Sequence, residues 1–198
     1  MTEQSGLFAA TPGDGWVTAY TDGGARGNPG PAGYGVQIVS ENGAVLAQLS
    51  QFLGLRTNNF AEYSALLGAL EYASANGVEK LRVVSDSELM VKQIQGRYKV
   101  SSPDLRPLFD EAKKRIRGLK HFEIQHVLRG KNKEADRLAN LAMDRGMGRT
   151  ANDKPLTAQP YPSGPAPVLT GIVEEGRVRL LDGKLKDGTR VLVKPEGD

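Results

Sequence analysis

Two alternating runs separated by Asn42-Gly43 constrain the fold of this 198-residue chain more than any other feature. Asn-Gly supplies the two residues that tolerate positive φ in tight hairpin turns, so strands over about 33–40 and 44–52 are predicted to pair antiparallel. An apolar run at 15–22, ending on Asp22, precedes them and adds a third antiparallel strand. Downstream the period changes from two to about 3.6: Tyr63, Leu66, Leu67, Leu70 and Ala73 share one helical face. A helix over 60–75 follows, with Asn59 as its cap and Asn76-Gly77 as its stop. The remaining pattern gives a strand at 81–85 and a short helix at 87–95 ended by Gly96. A helix at 104–117 comes next, with Pro103 at its opening, then a strand at 121–128 and a helix from a cap at Asn132 to Gly146. The order is β-β-β-α-β-α-α-β-α. A hairpin-built sheet joined to later crossover strands is a mixed sheet with helices against it, an α/β or α+β layer architecture.

Periodicity is lost from about 149 to 167, where five of the chain's eleven prolines fall in "KPLTAQPYPSGPAP". Such a stretch reads as an extended linker. Beyond it, "VLTGIVEEGRVRLLDGKLKDGTRVLVKPEGD" holds three short strand candidates divided by Glu-Gly and Asp-Gly turns. The expected organisation is a tail over 1–14, a main domain over 15–147, a linker over 148–167 and a small β-rich module over 168–198. A module of that size buries little apolar surface alone, so docking on the main domain or dimerisation is expected of it.

Composition narrows the chemistry. There is no cysteine, so disulfides, thiolate metal sites and a cysteine nucleophile are excluded, and a metal must be held by oxygen or by the two histidines. No apolar run approaches the roughly 18 to 20 residues that span a bilayer, and "MTEQSGLFAATPGDG" has neither a basic nor an apolar leader segment, so a cytoplasmic location is expected. The net charge of +3 is compatible with a polyanionic partner without requiring one. Lys113, Lys114, Arg115, Arg117 and Lys120 cluster within two or three helical turns, which fits a solvated helix face as well as a nucleic-acid contact.

Four acids stand at element ends, and each has an ordinary local explanation. Asp22 could serve an Asp-Gly turn, Glu62 a capping box with Asn59, Asp86 an N-cap, and Asp136 the dipole of a helix start. Those local roles leave unexplained why four elements each place a carboxylate at a terminus that a central sheet would bring together. Ligands in open α/β sheets sit at the strand ends, where the strands bearing Asp22 and Asp86 would meet. Several carboxylates at one point repel unless protonated or bridged by cations, and oxygen ligands favour Mg²⁺ or Mn²⁺.

The stretches "YTDGGARGNPGPAGYG", "TNNFAEYSALLGAL", "VVSDSELMVKQIQGRYKV" and "NKEADRLANLA" resemble, in order, the four acidic motifs of type 1 ribonuclease H, over about Trp16 to Arg145. The short form is similar to archaeal-type members, here with a C-terminal extension. The resemblance implies the ribonuclease H fold, a five-stranded mixed sheet of order 3-2-1-4-5 flanked by helices. It also implies endonucleolytic cleavage of the RNA strand of RNA/DNA hybrids to 5′-phosphate and 3′-hydroxyl ends by two metal ions. Asp22, Glu62, Asp86 and Asp136 then match the catalytic, metal-binding acids, with Asp22 bridging two Mg²⁺ or Mn²⁺ ions. Gly24, Ala25, Arg26 and Asn28 match the segment that contacts RNA 2′-hydroxyls, and Asn58, Asn59 and Ser87 match further substrate contacts. Two departures bear on function. The loop "HVLRGKNKEAD" lacks the histidine that assists product release or proton transfer in well-known bacterial members, leaving Arg129 or Lys131 as auxiliary groups, with His126 read as a partly buried sheet residue. The long basic handle of some relatives is reduced to "QGRYKVSSPD", so hybrid affinity rests on Arg97, Lys99 and the Lys113 to Lys120 cluster, with strong salt dependence. A broader ribonuclease that also cuts RNA/RNA duplexes, or a non-catalytic hybrid-binding domain, are the alternatives.

Overall fold

The computed structural model describes residues 15–149 and the strands Gly171–Glu174 and Arg177–Leu180. The chain divides into two units, Met1–Ala158 and Gln159–Asp198. In the first, strands β1 (Val17–Ala25), β2 (Gly30–Val39) and β3 (Val45–Arg56) form an antiparallel meander. The β2–β3 turn closes with Ser40 N–H donating to Ala44 O at 2.9 Å, and Gly43 takes φ +83°, the conformation for which glycine is suited. Strand β4 (Lys80–Ser85) lies parallel to β1, and β5 (His121–His126) parallel to β4. The sheet order is β3-β2-β1-β4-β5, as the resemblance implies.

Asp22 does not end its strand. Gly23, Gly24 and Ala25 continue β1, paired with Tyr34, Gly33 and Ala32. Glycine carries no apolar alternation, so this extension left no trace in the pattern. Only the parallel pairing with β4 stops before Asp22, at Thr21 opposite Ser85. Strand β3 likewise runs past 52 to Arg56 through Gly54 at φ +72°.

Helices α1 (Asn58–Ala75), α2 (Glu88–Ile94), α3 (Arg106–Ile116) and α4 (Lys133–Gly146) correct several expected caps. Thr57, not Asn59, caps α1 by accepting from Phe60 N–H, and Ser87, not Asp86, caps α2 by accepting from Met90 N–H. Pro103 lies before α3, whose first turn instead contains Pro107. Asn76-Gly77 ends α1 as expected, with Val78 N–H returning to Ala73 O at 2.9 Å.

Neighbouring residues of β1 show that α1 and α4 cover opposite faces of the sheet. A Cβ on Gly23 would strike the backbone of Ala61 on α1, whereas one on Gly24 would point at Met143 on α4. Under α1 lies the main core, with Val17, Ala19, Val36, Ile38, Leu66, Leu70, Leu81 and Val83 all but removed from solvent. Each fully buried aliphatic side chain contributes about 1.5–3 kcal/mol. Tyr63 joins this core and satisfies its hydroxyl by donating to Gln93 Oε1 at 2.8 Å. The edge strand β5 turns Phe122 and Ile124 inward, while His126, expected to be partly buried, is exposed. In the second unit, β6 (Gly171–Glu174) and β7 (Arg177–Leu180) pair antiparallel. The expected third strand, the tail over 1–14 and most of the linker lie outside the described residues.

Candidate active site

Parallel register sets the first two acids side by side: Thr21 pairs with Ser85, and the next residues, Asp22 and Asp86, leave adjacent strands together. Glu62 reaches the same place from the second turn of α1, and Asp136 from the first turn of α4. All four line one cavity of about 310 Å³, together with Gly23, Gly24, Ala25, Arg26, Asn58, Arg129 and Asn140. The approach of both helices depends on glycine. Gly23 admits the α1 backbone, and Gly35, paired with Asp22, lets the backbone of Ala135 and Ala139 on α4 lie directly against β2.

Burial, then the charges of Asp86 and Asp136, push the Asp22 carboxyl up to about 7, against smaller opposing effects from Arg129 and the Gly23 N–H. Glu62 also rises to about 7, first through burial and then through the charge of Asp86, although hydrogen bonds from Ser87 and Asn58 favour its ionised form. The cavity is thus a concentration of negative charge in a poorly solvated place. Its donors are carboxylate oxygens, and neither histidine lines it, which fits a hard divalent cation such as Mg²⁺ or Mn²⁺. Among the described residues no three His, Asp or Glu side chains form a ready-made metal cage. Three of the acids are each held by a neighbour. Glu62 accepts from Asn58 Nδ2 at 3.0 Å and Ser87 Oγ at 2.5 Å, Asp86 from Asn132 Nδ2 at 3.2 Å, and Asp136 from Arg129 Nη2 at 2.8 Å.

The residues matched to substrate contact divide. Gly24, Ala25, Arg26 and Asn58 line the cavity, whereas Asn28, Asn59, Ser87 and Lys131 do not. Asn28 instead accepts from Asn58 N–H at 3.2 Å, tying the β1–β2 loop to the start of α1. The Arg26 guanidinium is committed to Asp144 on α4 at 2.7 Å. Lys131 lines a separate pocket with Tyr20, Gln37 and Glu134.

Two residues carry more than their sequence positions suggested. Asn132 occupies the cap position of α4 but makes no side-chain cap; its buried Nδ2 donates to Thr21 O at 2.9 Å as well as to Asp86. Its backbone carbonyl accepts from Asp136 N–H, so one residue touches β1 just before Asp22, the Asp86 carboxylate and the Asp136 backbone. Both side-chain partners are acceptors, which fixes the amide orientation and leaves Oδ1 buried without a hydrogen-bond partner. Asn140, on the cavity wall, donates to Asp136 O at 3.0 Å; its position four residues after Asp136 is the helical-face signal that would have found it.

Residues 20–142 match the family model described as reverse transcriptase-like. The bifunctional protein Rv2228c of Mycobacterium tuberculosis is 42% identical over 138 residues, which are 69% of this chain and 38% of that protein. Ribonuclease HI of Halobacterium salinarum is 43% identical over 130 residues, spanning 66% of this chain and 65% of the relative. The crystal structure of that archaeal enzyme superposes with a TM-score of 0.64, covering 99% of its chain at 43% identity. LC11-RNase H1, isolated from compost by a metagenomic approach, was solved in complex with an RNA/DNA hybrid. It gives a TM-score of 0.63 at 43% identity over 66% of this chain and 99% of its own. The chain spans well under two thirds of Rv2228c and slightly under two thirds of the curated Halobacterium protein. With the sheet order, the four acids on one cavity and these matches in agreement, the chain belongs to the ribonuclease H family, in its type 1 branch.

Proposed function

We propose that this chain is a divalent-metal-dependent endonuclease that hydrolyses the RNA strand of RNA/DNA hybrids to 5′-phosphate and 3′-hydroxyl ends. The observation that carries the reading is the meeting of Asp22, Glu62, Asp86 and Asp136, from four elements, on a cavity walled by the Gly23–Ala25 backbone. LC11-RNase H1, at 43% identity, supports the hybrid as substrate. Asp22, Glu62, Asp86 and Asp136 would hold two Mg²⁺ or Mn²⁺ ions, whose chemistry when bound is to acidify a water and to offset charge on the phosphodiester and the leaving oxygen.

The protein's own contribution is positioning. Ser87 and Asn58 hold both oxygens of Glu62, and Asn132 holds one oxygen of Asp86, so neither carboxylate needs to search for its orientation. Gly24 and Ala25 present backbone at the cavity wall, where a ribose 2′-hydroxyl can be recognised at close range, which is how RNA is told from DNA. The Asn28 to Asn58 hydrogen bond makes that loop and the start of α1 one surface.

The test incubates purified protein with end-labelled RNA/DNA, RNA/RNA and DNA/DNA duplexes in Mg²⁺, Mn²⁺ or EDTA. Cleavage of the RNA strand of the hybrid, dependent on metal and abolished by Asp22→Asn, is expected. Cleavage in EDTA, or undiminished cleavage by Asp22→Asn, would sink the mechanism. Hybrid binding without cleavage in every metal would make the chain a binding module instead.

A further inference from the structure

Arg129 stands on a 3₁₀ turn, Arg129–Lys131, between β5 and α4, and its Nη2 donates to Asp136 Oδ1 at 2.8 Å. The ion pair does little for the fold. The Arg129 side chain is 78% exposed, and exposed pairs of this kind shift an equilibrium by only a factor of about two to five. The backbone already secures the turn: Lys131 N–H donates to Leu128 O at 2.8 Å and Asn132 N–H to Arg129 O at 3.0 Å. What the pair does instead is place a cation over the carboxylate cavity. The positive charge of Arg129 also reaches Asp22 and Asp86, and the other arginine on the wall, Arg26, is held by Asp144.

We infer that Arg129 is a built-in, displaceable counter-ion, occupying Asp136 until a divalent cation takes that carboxylate. The inference rests on the metal-dependent reading above. Three features suit exchange. The guanidinium sits at the solvent side of the cavity and can leave without unpacking anything. It neutralises the one acid of the four that α4 delivers from its first turn, where the backbone alone would favour negative charge. And the pair is a single hydrogen bond from a largely exposed guanidinium, a kind of contact that holds weakly. A divalent ion then gains less from Asp136 than from an unpaired carboxylate, because it must first displace the arginine.

The experiment is calorimetric titration of Mn²⁺ into the full chain, comparing the unmodified protein with Arg129→Ala, Arg129→Lys and Lys131→Ala, each also combined with Asp136→Asn. Arg129→Ala is expected to tighten Mn²⁺ binding about two- to five-fold, the scale of an exposed ion pair. Arg129→Lys should fall between, and Lys131→Ala should change nothing, since Lys131 lines a different pocket. In the Asp136→Asn background the gain from Arg129→Ala should vanish. Equal or weaker Mn²⁺ binding by Arg129→Ala overturns the inference, as does a gain that persists without the Asp136 carboxylate. Failure of both the unmodified chain and Arg129→Ala to bind Mn²⁺ at all would overturn the metal-dependent reading along with it. Measurable but equal affinities would overturn only the exchange.

Discussion

Asp22 lies opposite Gly35 and is 9% exposed, with a carboxyl pushed up to about 7. An aspartate in an unfolded chain titrates near 4. Between about pH 4 and 7 the folded chain therefore retains a proton that the unfolded chain has lost, so stability falls as pH rises through that window and stays lower above it. Glu62, also near 7, adds to the same trend. Asp22→Asn keeps the shape and removes the charge. In EDTA it should raise stability at pH 8 by on the order of 1–3 kcal/mol, with little gain at pH 4, while abolishing hybrid cleavage. Urea denaturation at the two pH values checks this; an equal or lower midpoint at pH 8 would show that the ionised carboxylate is not a burden on the fold. Asn132 poses the complementary case. Asn132→Ala removes the donors to Thr21 and Asp86, and because the orphaned Oδ1 goes with them the net cost is expected near the lower end of about 1–3 kcal/mol. Removing an outer partner of a metal-binding carboxylate typically costs 10- to 100-fold, so kcat and Mn²⁺ affinity should both fall by about that much. Lost stability with unchanged Mn²⁺ affinity would reduce Asn132 to a brace. The acids themselves were legible as four charges near expected element ends, although β1 runs on past Asp22, but the role of Asn132 was not. Its side-chain partners lie 111 and 46 residues away, and as a residue that favours helix caps it had a sufficient local explanation.

At the level of elements, Asp136 depends on how closely α4 lies on β2. A methyl at Gly35 would run into the backbone at Ala135 and Ala139, which flank Asp136, and at Gly33 it would meet the Ala142 Cβ at 2.8 Å. Backbone cannot rotate aside as a side chain can, so Gly35→Ala must lift the helix. Overpacking of this kind costs about 1–3 kcal/mol, and moving a catalytic carboxylate by about 1 Å costs on the order of 100-fold in rate. The expectation is a folded protein with hybrid cleavage reduced by about that factor. Gly43→Ala, at a positive-φ turn with open space around it, should lose a little stability and keep its activity. Equal activity in the two variants would disprove the dependence of the site on this contact. The antiparallel meander and the helix count were readable because hairpin chemistry, apolar period and glycine stops agree, whereas the sheet order followed from the motif resemblance. The capping residues of α1 and α2 were not, because Thr57 and Ser87 compete with nearby Asn59 and Asp86 for the same capping role. The strand beyond Asp22 has no apolar signature because backbone pairing carries it on through glycine.

Across the whole chain, net charge is unevenly distributed. Residues 150–198 carry seven basic and seven acidic side chains, so the entire net charge of +3 resides in residues 1–149. Even there, several basic residues already face acids: within α3 Arg106 pairs with Asp110, and Arg115 and Lys114 with Glu111, and after the helix Lys120 pairs with Glu79. This tempers the expectation that the Lys113 to Lys120 cluster drives hybrid binding, since a cation already neutralised releases few counterions from a phosphate backbone. The acids, their partners Asn58, Ser87, Arg129 and Asn132, and the core residues named above all lie within 15–149. A chain ended after Arg149 should therefore fold and cleave hybrid with kcat/KM within about two-fold of the full chain. The slope of log affinity against log salt should also be unchanged, because each neutralised phosphate contributes roughly 0.7–0.9 to it and the removed segment brings no net charge. Binding measured in Ca²⁺ or EDTA between about 50 and 200 mM salt, beside turnover in Mg²⁺, separates the outcomes. A slope shallower by about one unit or more would place Arg177, Arg179, Lys184 or Lys186 on the nucleic acid despite their balancing acids. A large loss of turnover with an unchanged slope would instead mean that the second unit supports the fold of the first.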